Sequence, residues 1–233
     1  MRLGLGYPVL SMEKMMLSKT SKLGCLSWSL QAFETCPGSV NPDGSVVDAC
    51  TFCYARRGMY HMPDVKALRA RNKEDWHNVD WVDRMVDSLA KQTHFRWFDS
   101  GDMYSVTLAE RILEVMRRTP HVKHWLPTRM HKFDKFKPVL FDMMQLDNVC
   151  VRLSSDSVSG EILDVNVPNS TIVPWHGFTY GMEGVKECPA YKNEGKCGTC
   201  RACWDKSVKT IAYPYHGQSK TKVIKIMAMK GNK

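Results

Sequence analysis

Short strand-like runs alternate with helix-like runs through most of this chain, and that alternation most narrows its fold. Residues 22–31 (KLGCLSWSLQ) read as a first strand, and residues 35–49, rich in Pro, Gly, Asn, Asp and Ser, read as a long loop. Residues 61–72 and 79–93 read as helices; in the second, Trp81, Val82, Met85, Val86 and Leu89 recur at helical spacing. FRWFD at 95–99 is a short strand that ends in the turn Ser100-Gly101-Asp102. Thr107 and Glu110 predict a capping box for the next helix, which Leu108, Ile112, Leu113, Val115 and Met116 continue and Pro120 stops. KHWLP (123–127), NVCVRL (148–153) and TIVP (171–174) follow as strands, with a helix over 132–146 and a short one over 160–165. Such alternation predicts an α/β fold with a parallel sheet and right-handed crossovers. At 233 residues, 43% hydrophobic and 24% charged, the chain can bury a core, and its composition excludes collagen-like, coiled-coil and disordered classes. No apolar run approaches the ~20 residues that span a bilayer. Residues 1–22 carry no apolar signal core, so neither export nor a membrane partner is expected.

Nine cysteines stand at 25, 36, 50, 53, 150, 188, 197, 200 and 203. The number is odd and two tight groups occur, which in a chain without an export signal reads as metal binding rather than a disulfide framework. Cys188-Pro189 followed by Cys197, Cys200 and Cys203 places three thiolates on a short arc with one distal partner. That arrangement matches ferredoxin-type ligation of a [4Fe-4S] cluster. Zinc more often takes two separated CxxC pairs, and zinc or plain reduced thiols are the alternatives. Cys36-Pro37-Gly38 and Cys50-Thr51-Phe52-Cys53 lie in the loop after the first strand. Three cysteines there would leave one iron of a [4Fe-4S] cube open to a substrate or cofactor. Cys25 and Cys150 fall within strands and read as small buried hydrophobes.

Polar residues follow the strands at Asp99-Ser100-Gly101-Asp102, Thr128-Arg129, Ser154-Ser155-Asp156 and Trp175-His176. In α/β sheets and barrels those carboxyl ends bind ligands, although polar loops and helix caps look the same. Arg129, Arg152 and His176 are candidates for substrate contact, with structural ion pairs as the alternative. The net charge of +9 sits mainly in residues 206–233, which hold seven Lys and no acidic residue. That tail is expected to hold nucleic-acid phosphates, with Tyr213, Tyr215 and His216 stacking on bases; a solubilising terminus is the other reading.

Cys50-Thr51-Phe52-Cys53 resembles the distal half of the CxxxCxΦC motif of the radical S-adenosylmethionine (SAM) superfamily. The resemblance implies Cys36, Cys50 and Cys53 as ligands of a [4Fe-4S] cluster and Phe52 as the adenine contact. It places Asp99, Ser100, Gly101 and Asp102 where the superfamily's glycine-rich segment meets the SAM amino group. It places Ser154, Ser155 and Asp156 near the ribose or carboxylate. The first gap here is thirteen residues, where the superfamily has three. The pattern from LGCLSWS through CPGS and CxxCYA to the terminal Cys-rich loop also resembles a bacteriophage iron–sulfur protein family, and it is similar to phage proteins with a compact CxxxCxxCYA motif and a later strand ending in T-R, which Thr128-Arg129 matches. Together these imply a partial (β/α) TIM-like barrel over 1–185 and a Cys-rich iron–sulfur extension with a basic tail over 186–233. The implied activity is radical SAM-like, with SAM as cofactor and an auxiliary [4Fe-4S] cluster on Cys188, Cys197, Cys200 and Cys203. A non-catalytic, nucleic-acid-binding iron–sulfur or zinc protein is the alternative. The implied location is cytoplasmic, in the host if the chain is phage-encoded.

Overall fold

Phe95 and Trp97 alternate with His94 and Arg96 along one short strand, and this period of two divides the molecule into two faces. The computed structural model describes residues 15–51 and 53–215. Its strands are β1 (Ser18–Lys19), β2 (Leu26–Trp28), β3 (His94–Trp97), β4 (Lys123–Thr128), β5 (Val149–Ser154), β6 (Asn169–Val173), β7 (Val185–Glu187) and β8 (Thr210–Pro214). Its helices are α1 (Asp48–Thr51), α2 (Pro63–Asp75), α3 (Trp81–Leu89), α4 (Val106–Arg118) and α5 (Lys137–Gln145). The strands form one sheet in the order β1-β2-β3-β4-β5-β6-β8-β7. Every pairing is parallel except β1 with β2. The α/β class with a mostly parallel sheet is therefore as expected.

One face carries the main core. Phe95, Trp97, Leu126, Val149 and Val151 meet Trp81, Met85 and Leu89 of α3, Leu108, Ile112 and Met116 of α4, and Leu140 and Met143 of α5. Removing that much apolar surface from water is the principal stabilising term. The register sets Ser27 beside Arg96, Arg96 beside Trp125, and Trp125 beside Cys150, all on the opposite face. There the Cys-rich segment lies on the sheet: the Trp204 ring meets Trp125 edge-on at 5.2 Å and His94 at 5.4 Å. Its indole N–H donates to the Phe95 carbonyl at 2.9 Å.

Several boundaries differ from expectation. Ser105 is the N-cap of α4, so Thr107 and Glu110 lie within the helix rather than forming a capping box. The helix expected over 132–146 begins at Lys137, after two 3-10 turns at Met130–Lys132 and Asp134–Phe136. Pro138 sits in its first turn, where the missing N–H costs nothing. Residues 160–165 form no helix. Gly160 there has φ +84°, and a Cβ would lie 2.9 Å from the Phe178 ring. The segment after 185 shares the main sheet, because β8 inserts between β6 and β7.

Candidate metal centres

The loop after β2 folds back over the carboxyl ends of β3, β4 and β5, and it carries the first cysteine group. Cys36 precedes the 3-10 turn Pro37–Ser39, Cys50 lies on α1, and Cys53 precedes the turn Tyr54–Arg56. Local bonds hold each in place: Ser39 N–H to Cys36 O at 2.9 Å, Cys50 N–H to Val47 O at 2.9 Å, and Cys53 N–H to Cys50 O at 3.1 Å. Bonds to the strand ends hold the loop as a whole. Ala49 N–H donates to Asp156 O at 2.9 Å and Asp102 N–H to Thr35 O at 2.9 Å. Two glycines permit this close approach. A Cβ on Gly38 would lie 2.5 Å from Arg129 Cβ, and one on Gly101, at φ +79°, would lie 2.7 Å from Leu30 Cβ and Thr35 Oγ1.

The three thiols are free and act on one another electrostatically. Burial pushes the Cys36 thiol up to about 12, and the Asp102 carboxylate, Cys50 and Cys53 add to that rise. Burial also raises Cys50, opposed by the Arg129 cation. Asp102 accepts from Thr128 Oγ1 and Met103 N–H at 2.8 Å and from Arg129 N–H at 2.9 Å. Its burial outweighs these bonds and raises its carboxyl to about 6.

The other strand-end residues are tied into the framework. Asp99 meets Arg69 at 3.5 Å and Tyr60 Oη at 3.3 Å, while its carbonyl accepts from Tyr54 Oη at 2.6 Å. Ser100 accepts from Arg69 Nε at 2.6 Å and donates to Leu30 O at 2.7 Å. Ser154 and Ser170 share a bond of 3.1 Å, and Ser155 donates to Glu161 at 2.6 Å. Asp156 pairs with Arg129 at 3.1 Å and Lys132 at 2.6 Å. Phe52 lies outside the described residues.

The second group lies on the sheet face opposite the main core. Cys188, Cys197, Cys200 and Cys203 line a single cavity of about 20 Å³, walled also by Pro189, Ala202, Trp204 and Ile211. Cys188 extends β7 and donates its N–H to Ala212 O at 2.8 Å; Cys197 N–H reaches back to Lys22 O at 2.9 Å. Tyr213 Oη and Cys203 Sγ lie 3.3 Å apart. Among the described residues, no three His, Cys, Asp or Glu side chains are placed to hold a metal ion.

Arg152, fully buried on β5, braces this segment. It donates to the carbonyls of Ala202 (2.7 Å), Asp205 (2.8 Å), Cys203 (2.9 Å), Val208 (2.9 Å), Asn169 (3.3 Å) and Lys209 (3.5 Å). As a substrate contact it is therefore corrected to a structural donor. Arg129 pairs with Asp156, the ion-pair alternative, and His176 Nδ1 lies against the Glu187 carboxylate. Cys150 is buried, as expected, and its thiol is raised to about 11 by that burial. Cys25 differs: it is half-buried and packs beside Cys197 and Cys203 against Leu23, Trp125 and Trp204.

Two tail lysines bond the framework. Lys206 Nζ donates to Met144 O at 2.9 Å and Leu146 O at 2.5 Å beyond the end of α5, and Lys209 Nζ to Asn166 O at 3.1 Å. Tyr213 lies in β8, and Tyr215 N–H continues its ladder to Val173 O. His216 and the rest of the basic tail lie outside the described residues. Among the described residues, no helix is long and apolar enough to cross a membrane. Arg96 escaped the sequence reasoning, although its place in FRWF, between two core aromatics, already put it on the cysteine-bearing face.

A family model described as Gene product 88 matches residues 9–206. The chain belongs to the Gene product 88 family. That family is of phage type, as the CPGS…CxxCYA resemblance implied. Both cysteine groups of this Gene product 88 chain fall within the matched region, and β8 lies beyond it. No curated protein and no solved structure matches the chain.

Proposed function

We propose that this chain is a radical SAM-like iron–sulfur enzyme. Cys36, Cys50 and Cys53 hold a [4Fe-4S] cube with one open iron, and Cys188, Cys197, Cys200 and Cys203 hold an auxiliary [4Fe-4S] cluster. The observation that carries the reading is the gathering of three thiols at the carboxyl ends of β3, β4 and β5, where parallel sheets bind ligands. Cys25, the residue that could have closed the open position, packs beside the other group. The sequential order β2 to β6, with α3 to α5 packed on one face, favours a partial (β/α) barrel whose inner face carries the cysteines.

The spacing of the second group, three thiols on a short arc with one distal partner, favours ferredoxin-type ligation over zinc. A four-thiolate centre is anionic, and Arg152 supplies a buried cation that forms no salt bridge among the described residues. When bound, the open cluster and SAM supply reductive SAM cleavage. The chain's own part is to hold the thiolates, to exclude water with Leu23, Trp125 and Trp204, and to keep the strand ends open.

Anaerobic reconstitution with iron and sulfide tests this. Two clusters per chain are expected, with Cys50→Ser and Cys200→Ser each losing one. SAM should change the electron paramagnetic resonance spectrum of the reduced protein and of Cys200→Ser, but not that of Cys50→Ser. Zinc in place of iron overturns the reading; iron whose spectrum ignores SAM overturns its radical SAM part.

A further inference from the structure

We propose that Arg96 anchors an anionic group, a carboxylate or a phosphate, of a small molecule bound on the inner face of the sheet between the two cysteine groups. The inference rests on the reading above that this face holds the reaction site. Phe95 and Trp97 are buried in the core, so Arg96 projects from the other face. Its guanidinium lies over the Trp125 ring, 4.6 Å from the centroid, which fixes its plane. Its donors are largely unused. Nε is buried with no hydrogen-bond partner, and Nη2 reaches only the Tyr54 hydroxyl, at 3.5 Å. Among the described residues Arg96 forms no salt bridge; the carboxylate of nearby Asp99 is taken by Arg69 and Tyr60. Arg152, on the same face, gives its donors to six carbonyls. Arginine cannot shed its charge, and its buried Nε, left without an acceptor, costs free energy until one meets it.

Position points the same way. The charge of Arg96 acts on Cys25 and Cys203 on one side and on Tyr54, next to Cys53, on the other. The way in is open: Tyr54 is 53% exposed, although its hydroxyl reaches inward to Asp99. A planar fork with free N–H groups suits two-pronged binding of a carboxylate or a phosphate.

The full chain carrying its clusters is titrated with inorganic phosphate and, separately, with malonate. Ionic strength is held constant with chloride, and the thermal midpoint is read. One of the two anions should raise the midpoint of the unmodified protein saturably, and which one does so identifies the group. The apparent affinity should fall at least about tenfold in Arg96→Gln, and less in Arg96→Lys, with iron per chain unchanged in both. No saturable rise, or the same affinity in Arg96→Gln, overturns the proposal. Should Arg96→Gln fail to fold, Arg96→Lys decides, since it keeps the charge but loses the fork; undiminished affinity there overturns the proposal. Iron loss in Arg96→Lys also overturns it, because the charge then serves a cluster. The SAM spectrum of the unmodified protein reports separately on the enzymatic reading.

Discussion

His124 shows how one buried proton sets a limit on acid stability. It is fully buried on β4, where Trp97 Nε1–H donates to its Nδ1 at 3.2 Å and its Nε2 faces Thr119 Oγ1 at 2.9 Å. Thr119 donates its own proton to Val115 O at 2.7 Å, so the ring carries its proton on Nε2. A second proton on Nδ1 would oppose the Trp97 N–H, and burial lowers the imidazole to about 3. The folded ring therefore binds fewer protons than the unfolded one below about pH 6.5, and its contribution is lost as pH falls from there toward 3. A shift of that size corresponds to about 5 kcal/mol. Urea unfolding as a function of pH should show this loss, and His124→Gln should flatten it while costing roughly 1–3 kcal/mol at neutral pH. An unchanged slope in the variant would clear His124 of the role. Gly101→Ala tests the loop that carries Cys36: strain at φ +79° and the contacts with Leu30 and Thr35 should lower the thermal midpoint, read by calorimetry. The meeting of Cys188, Cys197, Cys200 and Cys203 at one cavity was legible at this scale because the four are close in sequence. The different fates of Arg96 and Arg152 were not, because each depends on what a distant segment brings to the sheet.

Among the elements, α3 and α4 were legible because both bury one apolar stripe against the sheet. The late start of α5 was not, since Phe136 is buried from a 3-10 turn and satisfies the same apolar spacing without a helix. β7 and β8 were missed for a different reason. Three residues of VKE and five of TIAYP are too short to announce themselves, and register with their neighbours decides them. Arg152 joins these late elements to β5. Arg152→Met should destabilise the protein by about 3–5 kcal/mol, since six carbonyls, buried or partly buried, lose their donor. Arg152→Lys should recover little of it, because one ammonium cannot reach all six. Limited proteolysis should then cut first between β7 and β8; a cleavage pattern like that of the unmodified chain would show that the brace is dispensable.

For the whole molecule, the alternation of elements foretold a parallel sheet but not its final order. A chain ending at residue 185 leaves the β6 ladder bare, and an unpaired inner strand invites association with other chains. Such a truncation should aggregate or unfold without cooperativity in urea; a soluble, two-state unit would show that the first 185 residues fold alone. The order β6-β8-β7 also imposes a schedule on synthesis. The ribosome delivers β7 before the strand that must separate it from β6, and the four thiols at 188–203 emerge between the two. Until Pro214 has emerged they hang on an unfinished noose; when β8 docks, the noose closes. Chains truncated after residue 209 and released from the ribosome should therefore label at all four of these cysteines with a thiol reagent, and full-length chains should label less.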